Sequence, residues 1–249
     1  MKLIQLNIWQ GRLIALVCKF LAEQQPDFVN LQEVYSSPQQ PELYDVFRFG
    51  ALETIKTVLP GYFCYFSPTY DMQVFDQTIH YGNVMFSKYP FAKTETFFIN
   101  GERETVTKFQ LNNMRNLQRA RIQLDDGRAF TLLNHHGFWA GGNSLGNEQT
   151  MQKMSRVAEL LHAAERPVIF AGDLNITPVS PALKKLDGLG LRNLTVEHSI
   201  TRTLSRLHRA DVEVACDYIF VSPEIRVQDF TVSEELVSDH KALILEFDL

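Results

Sequence analysis

Polar residues that interrupt or end apolar runs of the chain carry the side chains best suited to chemistry. They occur at six places: Asn7, Glu33, His135-His136, Asp173 with Asn175, Asp217, and Asp239-His240. Amide and carboxylate oxygens such as those of Asn7, Glu33 and Asp239 are hard ligands. They suit Mg²⁺, which binds one or two carboxylates, several waters and substrate phosphate. No cysteine and histidine spacing typical of a zinc site accompanies them. The set therefore indicates a site for a hard divalent cation.

Strand geometry relates several of these residues to one another. Side chains alternate between the two faces of a strand, so Asp173 and Asn175 point the same way, as do Asn134 and His136. Residues at strand ends can converge on one rim of a sheet, where ligand sites tend to lie. We therefore expect these polar groups to meet at one rim. His136 is preferred to His135 because it shares the face of Asn134.

The elements that must position these groups follow from the apolar pattern. Residues 2–8 and 28–34 are predicted to be strands, with a helix over 11–24 between them, so this βαβ unit should have parallel strands. Residues 68–80 are polar and are predicted to form a mobile loop. Further strands are predicted at 62–66, 83–87, 94–99, 117–124, 128–135, 167–171, 216–221, 225–232 and 241–247, and further helices over much of 42–58, 147–164 and 178–187. This mixture indicates two packed sheets with helices outside.

Length and composition bound the class of protein. The 249 residues fit one α/β domain spanning 1–249. The net charge of −5 gives no help to non-specific nucleic-acid binding, although a local basic patch could suffice. No run approaches the roughly 20 apolar residues that cross a bilayer, so we expect no membrane insertion. Cys18, Cys64 and Cys216 show no pairing pattern, which predicts reduced thiols and a cytoplasmic location.

The ordered motifs resemble the endonuclease/exonuclease/phosphatase superfamily, whose fold is DNase I-like. The series is Asn7, Leu31-Gln32-Glu33-Val34, Gly82-Asn83 with Ser87-Lys88-Tyr89-Pro90, Asn134-His135-His136, Gly172-Asp173-Leu174-Asn175, Asp217-Tyr218-Ile219-Phe220 and Ser238-Asp239-His240. Each motif alone has an ordinary structural explanation, such as a turn or a helix cap. Their order from residue 7 to residue 240 carries the resemblance. It implies a four-layer α/β/β/α sandwich of two packed mixed sheets flanked by helices.

The resemblance also implies an activity, namely Mg²⁺-dependent hydrolysis of a phosphodiester or phosphomonoester bond, with Mn²⁺ as a substitute. Glu33 would be the principal metal ligand, with Asn7 and Asp239 nearby. Asp173 would orient or deprotonate the attacking water, and Asn175 would position that water or a phosphate oxygen. This logic is consistent with phosphoryl transfer, which needs positioning and charge stabilisation more than a covalent partner.

The same resemblance makes His136 and His240 donors of hydrogen bonds to the scissile phosphate, with Asp217 orienting His240. A buried carboxylate in that position fixes the tautomer of its histidine and raises its basicity. Three further residues are candidates for substrate binding: Asn134, Arg115 and Arg121. The two arginines share one face if the stretch that carries them is a strand, although a solvated face explains them about as well.

Other functions stay open at this stage. The chain departs from AP endonucleases at Trp9, where that branch carries an aspartate. A nuclease acting on DNA or RNA is one alternative, and a non-catalytic binding member of the same fold is another. The retention of Glu33, His136, Asp173 and His240 disfavours the latter. We expect a phosphate-ester substrate and no obligate protein partner.

Overall fold

Two β-sheets face each other in the computed structural model, which describes residues 1–38, 47–74, 76–106, 113–208 and 213–249. The seven-stranded sheet consists of β1 (Lys2–Asn7), β2 (Phe28–Ser36), β3 (Phe63–Val74), β4 (Gln77–Ser87), β6 (Thr105–Val106), β12 (Arg226–Val232) and β13 (Leu243–Asp248), in the order β12-β13-β1-β2-β4-β3-β6. The six-stranded sheet consists of β5 (Phe91–Asn100), β7 (Arg115–Gln123), β8 (Ala129–His136), β9 (Val168–Asp173), β10 (Arg192–Asn193) and β11 (Asp217–Val221), in the order β10-β11-β9-β8-β7-β5.

Helices cover the outer faces of both sheets. They are α1 (Ile14–Gln24), α2 (Ala51–Val58), α3 (Glu148–His162) and α4 (Leu194–Glu197), with 3₁₀ turns at Trp9–Gly11 and Leu183–Leu186. Phe20 of α1 packs in one apolar cluster with Ile4 and Leu31 of the seven-stranded sheet. Val157 of α3 packs with Phe170 of the six-stranded sheet. The predicted four-layer α/β/β/α sandwich of two mixed sheets is confirmed.

Strand alternation decides which residues face the space between the sheets. On β1, Ile4 and Leu6 join the cluster that contains α1, while Leu3 joins the core between the sheets. The same alternation turns Gln5 and Asn7 toward the opposite sheet. β1 pairs in parallel with β2, as predicted for the βαβ unit.

The space between the sheets is apolar toward one end and rich in amides toward the other. Phe28, Phe130 and Ile169 belong to the apolar part. At the other end, Gln5 and Gln32 exchange hydrogen bonds of 2.6 and 2.9 Å. Gln32 Nε2 donates to Asn134 Oδ1 at 2.6 Å, and Asn134 Nδ2 donates to Gln118 Oε1 at 2.9 Å. These directional bonds satisfy the buried amides and fix the register of the strands that reach the rim.

The prediction of a mobile loop over 68–80 is wrong. Apart from residue 75, which lies outside the described residues, this stretch is a hairpin in which β3 and β4 pair from Tyr70 with Tyr81 to Val74 with Gln77. Tyr70, Met72 and Val74 alternate with polar residues and are buried in one aromatic-rich cluster. That period of two marks a strand with one buried face, and the polar alternate positions hid it.

The predicted helix over 178–187 is also wrong, since only the short 3₁₀ turn at Leu183–Leu186 forms there. Ser180 is buried, and its hydroxyl donates to Leu145 O at 2.6 Å and accepts from Ala182 N at 3.2 Å, which favours a turn over a helix. The helix predicted within 42–58 begins at Ala51 (α2), and residues 39–46 lie outside the described residues. The helix predicted from residue 11 begins at Ile14.

The three cysteines are free thiols. Cys18 and Cys216 are buried, and Cys64 is half-buried. Within the described parts of the chain, no helix is long and apolar enough to cross a membrane. The single-domain organisation and the cytoplasmic location stay predictions.

We expect Asn134→Ala to lower the free energy of unfolding by about 2–4 kcal/mol, because it removes the acceptor for one N–H of the buried Gln32 amide and the donor to Gln118 Oε1. Urea unfolding followed by circular dichroism measures the change. Gln123→Ala, at an exposed position of β7, is the matched control. A loss below about 1 kcal/mol for Asn134→Ala would show that the amide network is not a stabilising element.

Candidate active site

Strand ends bring the predicted polar residues to one rim of the sandwich. β8 and β9 run in parallel and end with His136 opposite Asp173. β11 runs antiparallel to β9, so its first residue, Asp217, lies opposite Asp173 as well. Asn7 ends β1 in the facing sheet, and its Nδ2 reaches Asp173 Oδ2 at 3.1 Å. The rim therefore joins both sheets at Asp173.

Asp173 is almost wholly buried, with 1% of its surface exposed. Its Oδ1 accepts the backbone N–H of Asn175 at 2.9 Å, and its Oδ2 accepts the amide of Asn7. Asn175 has a φ of 56°, a left-handed conformation that asparagine tolerates better than most residues. Its side chain donates to Gly137 O at 3.2 Å. The turn after β9 is thereby shaped to hold one oxygen of the carboxylate.

Two imidazoles converge on the other oxygen of Asp173. His136 Nε2 lies 3.6 Å from Asp173 Oδ2, and His240 Nε2 lies 3.7 Å from the same atom. Both distances exceed that of a good hydrogen bond. Both imidazole nitrogens therefore lie close to the same carboxylate oxygen without a direct hydrogen bond to it.

Asp217 orients His240. Its Oδ2 accepts His240 Nδ1 at 2.9 Å and the hydroxyl of Thr203 at 2.6 Å. Thr203 Oγ1 in turn accepts the backbone N–H groups of Cys216 and Asp217. Because the proton on Nδ1 is held by a buried carboxylate, Nε2 is the nitrogen that faces Asp173. Sequence reasoning missed Thr203, which lies 14 residues before Asp217 in a segment without a recognisable motif.

The two histidines have opposite electrostatic surroundings. Burial alone would lower the pKa of His240, but the carboxylates of Asp217 and Asp173 raise it well above its ordinary value. Burial lowers the pKa of His136 well below its ordinary value, and the positive charge of Arg115 acts in the same direction. His240 is therefore cationic and His136 neutral near neutral pH.

The carboxylates of the rim resist ionisation. Burial raises the pKa of Asp173 to about 6, although the charge of His240 and the bond from Asn175 oppose the rise. Burial and the nearby Asp239 carboxylate raise the pKa of Glu33 to about 7. Burial also raises the pKa of Asp239. These shifts mark a concentration of negative charge in a poorly hydrated place, as is common at functional sites.

Glu33 sits on a strained backbone. The pairing of β2 with β4 shifts register between Leu31 and Val34, and Glu33 within this bulge has a φ of 60°. A non-glycine residue in the left-handed region costs about 1–2 kcal/mol. Such strain persists where the fold needs the side chain in a particular direction, and here it directs Glu33 toward His136 Nε2, 4.0 Å away.

The side chains of Asn7 and Asn134 both form hydrogen bonds within the protein. Asn7 Oδ1 accepts the N–H of Trp9 at 3.0 Å, so its NH₂ group points to the carboxylate of Asp173 as a donor. Asn134 is fully buried, and its amide is used by Gln32 and Gln118 inside the sandwich. It lies two residues before the end of β8, beneath the rim. Its contact with a substrate stays a prediction.

The two arginines separate. Arg115 lies at the rim, with Nε donating to Gly137 O at 2.7 Å, next to His136 in the chain. Arg121 is paired across the strands with Thr131, five positions before His136 and hence about 16 Å along β8. Its guanidinium is bonded to Glu165 at 2.9 Å. The structure places Arg115 at the site and Arg121 far from it. The alternation of side chains along a strand predicts the face on which a residue lies, but it does not predict the distance of that residue from the strand end.

His135 is a structural residue. It is buried, and its Nδ1 lies 2.8 Å from Asn116 O. Burial lowers its pKa to about 4, so the ring stays neutral. It points away from the face that carries His136 and Asp173, which agrees with the preference for His136.

Potential metal ligands lie together at this rim. Asp173, Cys216, Asp217 and His240 have ligand atoms within 4.8 Å of one another. However, burial raises the pKa of the Cys216 thiol far above its ordinary value, and Asp217 and His240 are bonded to each other. Glu33 and Asp239 offer hard oxygens instead, and the negative charge of Asp239 contributes to the raised pKa of Glu33. A divalent cation would relieve that repulsion, so this donor set fits Mg²⁺ better than a soft metal.

Comparison with known proteins agrees with this arrangement. The sequence model described as Endonuclease/Exonuclease/phosphatase family matches residues 4–240. Members of this family are phosphoester hydrolases and generally depend on a divalent metal, so the predicted enzyme class is confirmed. A search of curated proteins finds no match.

Several solved structures share the fold over the whole chain. An endonuclease/exonuclease/phosphatase family protein from Leptotrichia buccalis C-1013-b has a TM-score of 0.70 at 18% identity, with 100% of both chains covered. Bacteroides thetaiotaomicron VPI-5482 mannosyl-6-phosphatase has a TM-score of 0.71 at 17% identity, again with 100% of both chains covered. D. rerio TDP2 complexed with single-strand DNA product has a TM-score of 0.70 at 18% identity, with 100% of this chain and 99% of that chain covered. At such identities the likeness shows the fold alone.

In metal-free protein, we expect Glu33→Gln to raise stability at pH about 8 by on the order of 3 kcal/mol relative to wild type. The folded-state pKa of Glu33, about 7, exceeds the ordinary 4.5. The protonated Glu33 side chain therefore contributes fully to stability below its unfolded-state pKa of 4.5. This contribution is lost as pH rises toward the folded-state pKa of about 7. Urea unfolding in EDTA at pH about 4.5 and about 8 measures the difference. If the wild type and the variant lost the same stability between these two pH values, Glu33 would not be the titrating group.

Proposed function

We propose that this chain, which belongs to the endonuclease/exonuclease/phosphatase family, is a Mg²⁺-dependent hydrolase that cleaves a phosphodiester or phosphomonoester bond. The observation that supports this most is the convergence of His136 Nε2 and His240 Nε2 on Asp173 Oδ2, at 3.6 and 3.7 Å. A carboxylate base beside two imidazole donors can accept a proton from water and stabilise the charge that develops on a phosphoryl group.

Asp173 is the proposed base. With a pKa of about 6, its carboxylate is mostly ionised at neutral pH and still basic enough to accept a proton from water. Asn175 N–H and the Asn7 amide hold the carboxylate in one orientation. Because Oδ2 is the oxygen that lies near both imidazoles, it is the proposed acceptor of the proton from the attacking water.

His240 and His136 are the proposed donors to the phosphoryl oxygens. His240 is cationic through its pairing with Asp217 and contributes a charged N–H, while His136 contributes a neutral one. Charge accumulates on these oxygens during transfer, and donors already in place stabilise it without reorganisation. Asp217 acts through His240 as a positioning residue, with Thr203 fixing its carboxylate.

Glu33 and Asp239 would hold the Mg²⁺ ion, for which Mn²⁺ would be a substitute. When bound, the ion would supply positive charge to the phosphate group. Asn7 would contribute by fixing Asp173 beside this pair through the bond from Nδ2. Arg115, whose charge lies near His136, stays a candidate for contact with the substrate.

The substrate within this class stays open, since proteins of similar fold act on different phosphate esters. One such protein is a mannosyl-6-phosphatase and another binds a single-strand DNA product. The net charge of −5 disfavours a long nucleic acid held by its backbone alone. A non-catalytic binding role is the weaker alternative, because the base and both histidines are retained in working geometry.

We expect His240→Ala and Asp173→Asn each to reduce kcat/KM by at least about a hundredfold, since each removes a group acting on the transition state. The measurement is turnover with Mg²⁺, Mn²⁺ or EDTA. The substrates are single- and double-stranded DNA, RNA, bis-p-nitrophenyl phosphate, inositol phosphates and sphingomyelin. His162→Ala, at the exposed end of α3, is the matched control.

Metal-dependent hydrolysis that disappears in both variants and persists in the control supports the proposal. Near-normal turnover of either variant, with circular dichroism showing it folded, would contradict the assignment of that residue. Turnover that is unaffected by EDTA would contradict the metal requirement.

A further inference from the structure

The guanidinium of Arg12 differs from those of several other arginines, which are paired with carboxylates. Arg103 pairs with Asp71, and Arg119 pairs with Glu95. Arg12 forms no hydrogen bond or ion pair in the described part of the chain, and its Nε is buried without any partner. Its Nη groups also lack a bond but are not among the buried unpartnered atoms, so they reach solvent. An arginine with a buried stem, open tips and no counter-charge is poised to bind an anion.

Two aromatic rings hold the guanidinium in place. Its Cζ lies 4.7 Å from the ring centroid of Trp9 and 5.2 Å from that of Phe47. Stacking on ring faces fixes the plane of the guanidinium while leaving the N–H groups at its edge unused. The group is therefore rigid before any ligand arrives, which lowers the entropy cost of binding.

The turn that carries Arg12 is strained and has a second unpartnered atom. Trp9 and Gln10 have φ values of 50° and 58°, in the left-handed region that non-glycine residues rarely adopt. Gln10 Oε1 is buried without a hydrogen bond. Backbone strain and unsatisfied polar atoms in one short turn are typical of ligand-binding segments.

The turn is attached directly to the candidate active site. Trp9 N donates to Asn7 Oδ1 at 3.0 Å, and Asn7 Nδ2 donates to Asp173 Oδ2. The charge of Arg12 acts on Tyr35. Burial raises the pKa of the Tyr35 hydroxyl, and the charge of Arg12 opposes the rise. The turn that carries Arg12 therefore directly follows Asn7, which contacts the Asp173 carboxylate.

We propose that Arg12 binds a second phosphate group of the substrate, next to the phosphate that is cleaved. A planar guanidinium matches two phosphate oxygens at once. Trp9 and Phe47, which flank it, bring no competing carboxylate. The assignment of this anion to the substrate rests on the proposed function, whereas the anion site itself rests on Arg12 alone. The implied substrate class carries at least two phosphate groups.

Calorimetric titration with inorganic pyrophosphate in EDTA tests this inference without turnover. We expect Arg12→Ala to weaken binding by at least about tenfold, because it removes the charged donors. Arg12→Gln, which keeps a planar group against the two rings, should lose as much. Arg226→Ala is the matched control: Arg226 is exposed and lies opposite Asp248, at the far end of β13 from His240. Its affinity should stay within about twofold of wild type.

Fluorescence locates the anion. Trp9 and Trp139 are the two tryptophans of the chain, so in a Trp139→Phe background emission reports on Trp9 beneath Arg12. Pyrophosphate should change this emission. Unchanged affinity in Arg12→Ala or Arg12→Gln, or no binding by wild type, would overturn the site. Arg12-dependent binding by a protein that hydrolyses no phosphate ester would instead overturn the proposed function and leave the anion site standing.

Discussion

The burial of the Asp173 carboxylate is the constraint around which the rim is organised. A charge removed from water is costly unless donors and opposite charges surround it. Here each neighbouring element contributes one: Asn7 from the facing sheet, the Asn175 N–H from the following turn, and His240 from the segment before β13. The strand ends therefore converge because a single carboxylate needs all of them. The amide network beneath, through Gln32 and Asn134, holds the two sheets in the register that this requires.

Burial in this poorly hydrated site gives different roles to side chains of the same type. His136 and His240 lie at nearly equal distances from Asp173, yet Asp217 keeps one charged while burial keeps the other neutral. Asp217 Oδ2 is bonded by His240 and Thr203, while Asp173 Oδ2 accepts the Asn7 amide and also lies near both imidazoles. The surroundings of each side chain, more than its residue type, decide whether it acts as the base or as a hydrogen-bond donor. Enzymes commonly set acid and base roles near neutral pH in this way.

The sequence was sufficient to predict the four layers and the convergence of Asp173, Asp217 and His240, since strand periodicity and strand ends are local signals. The sequence did not predict how deep a residue lies in the fold or which distant residues it contacts. Asn134 has the right parity but lies two residues inside the sandwich, and Arg121 lies on the right strand but at its far end. Thr203 comes from a loop, and its contact with Asp217 exists only in the folded chain. These positions and contacts depend on the tertiary structure, so the spacing of residues in the sequence does not predict them.

The central claim is that the buried pair of Asp217 and His240 keeps His240 cationic beside a neutral His136. Imidazole nitrogen NMR of metal-free protein tests it most directly, with Asp217→Asn used to assign His240 among the seven histidines. We expect both ring nitrogens of His240 to remain protonated above the ordinary histidine pKa of about 6.5, while His136 stays neutral below it. A His240 that is already neutral at pH about 7 would contradict the account.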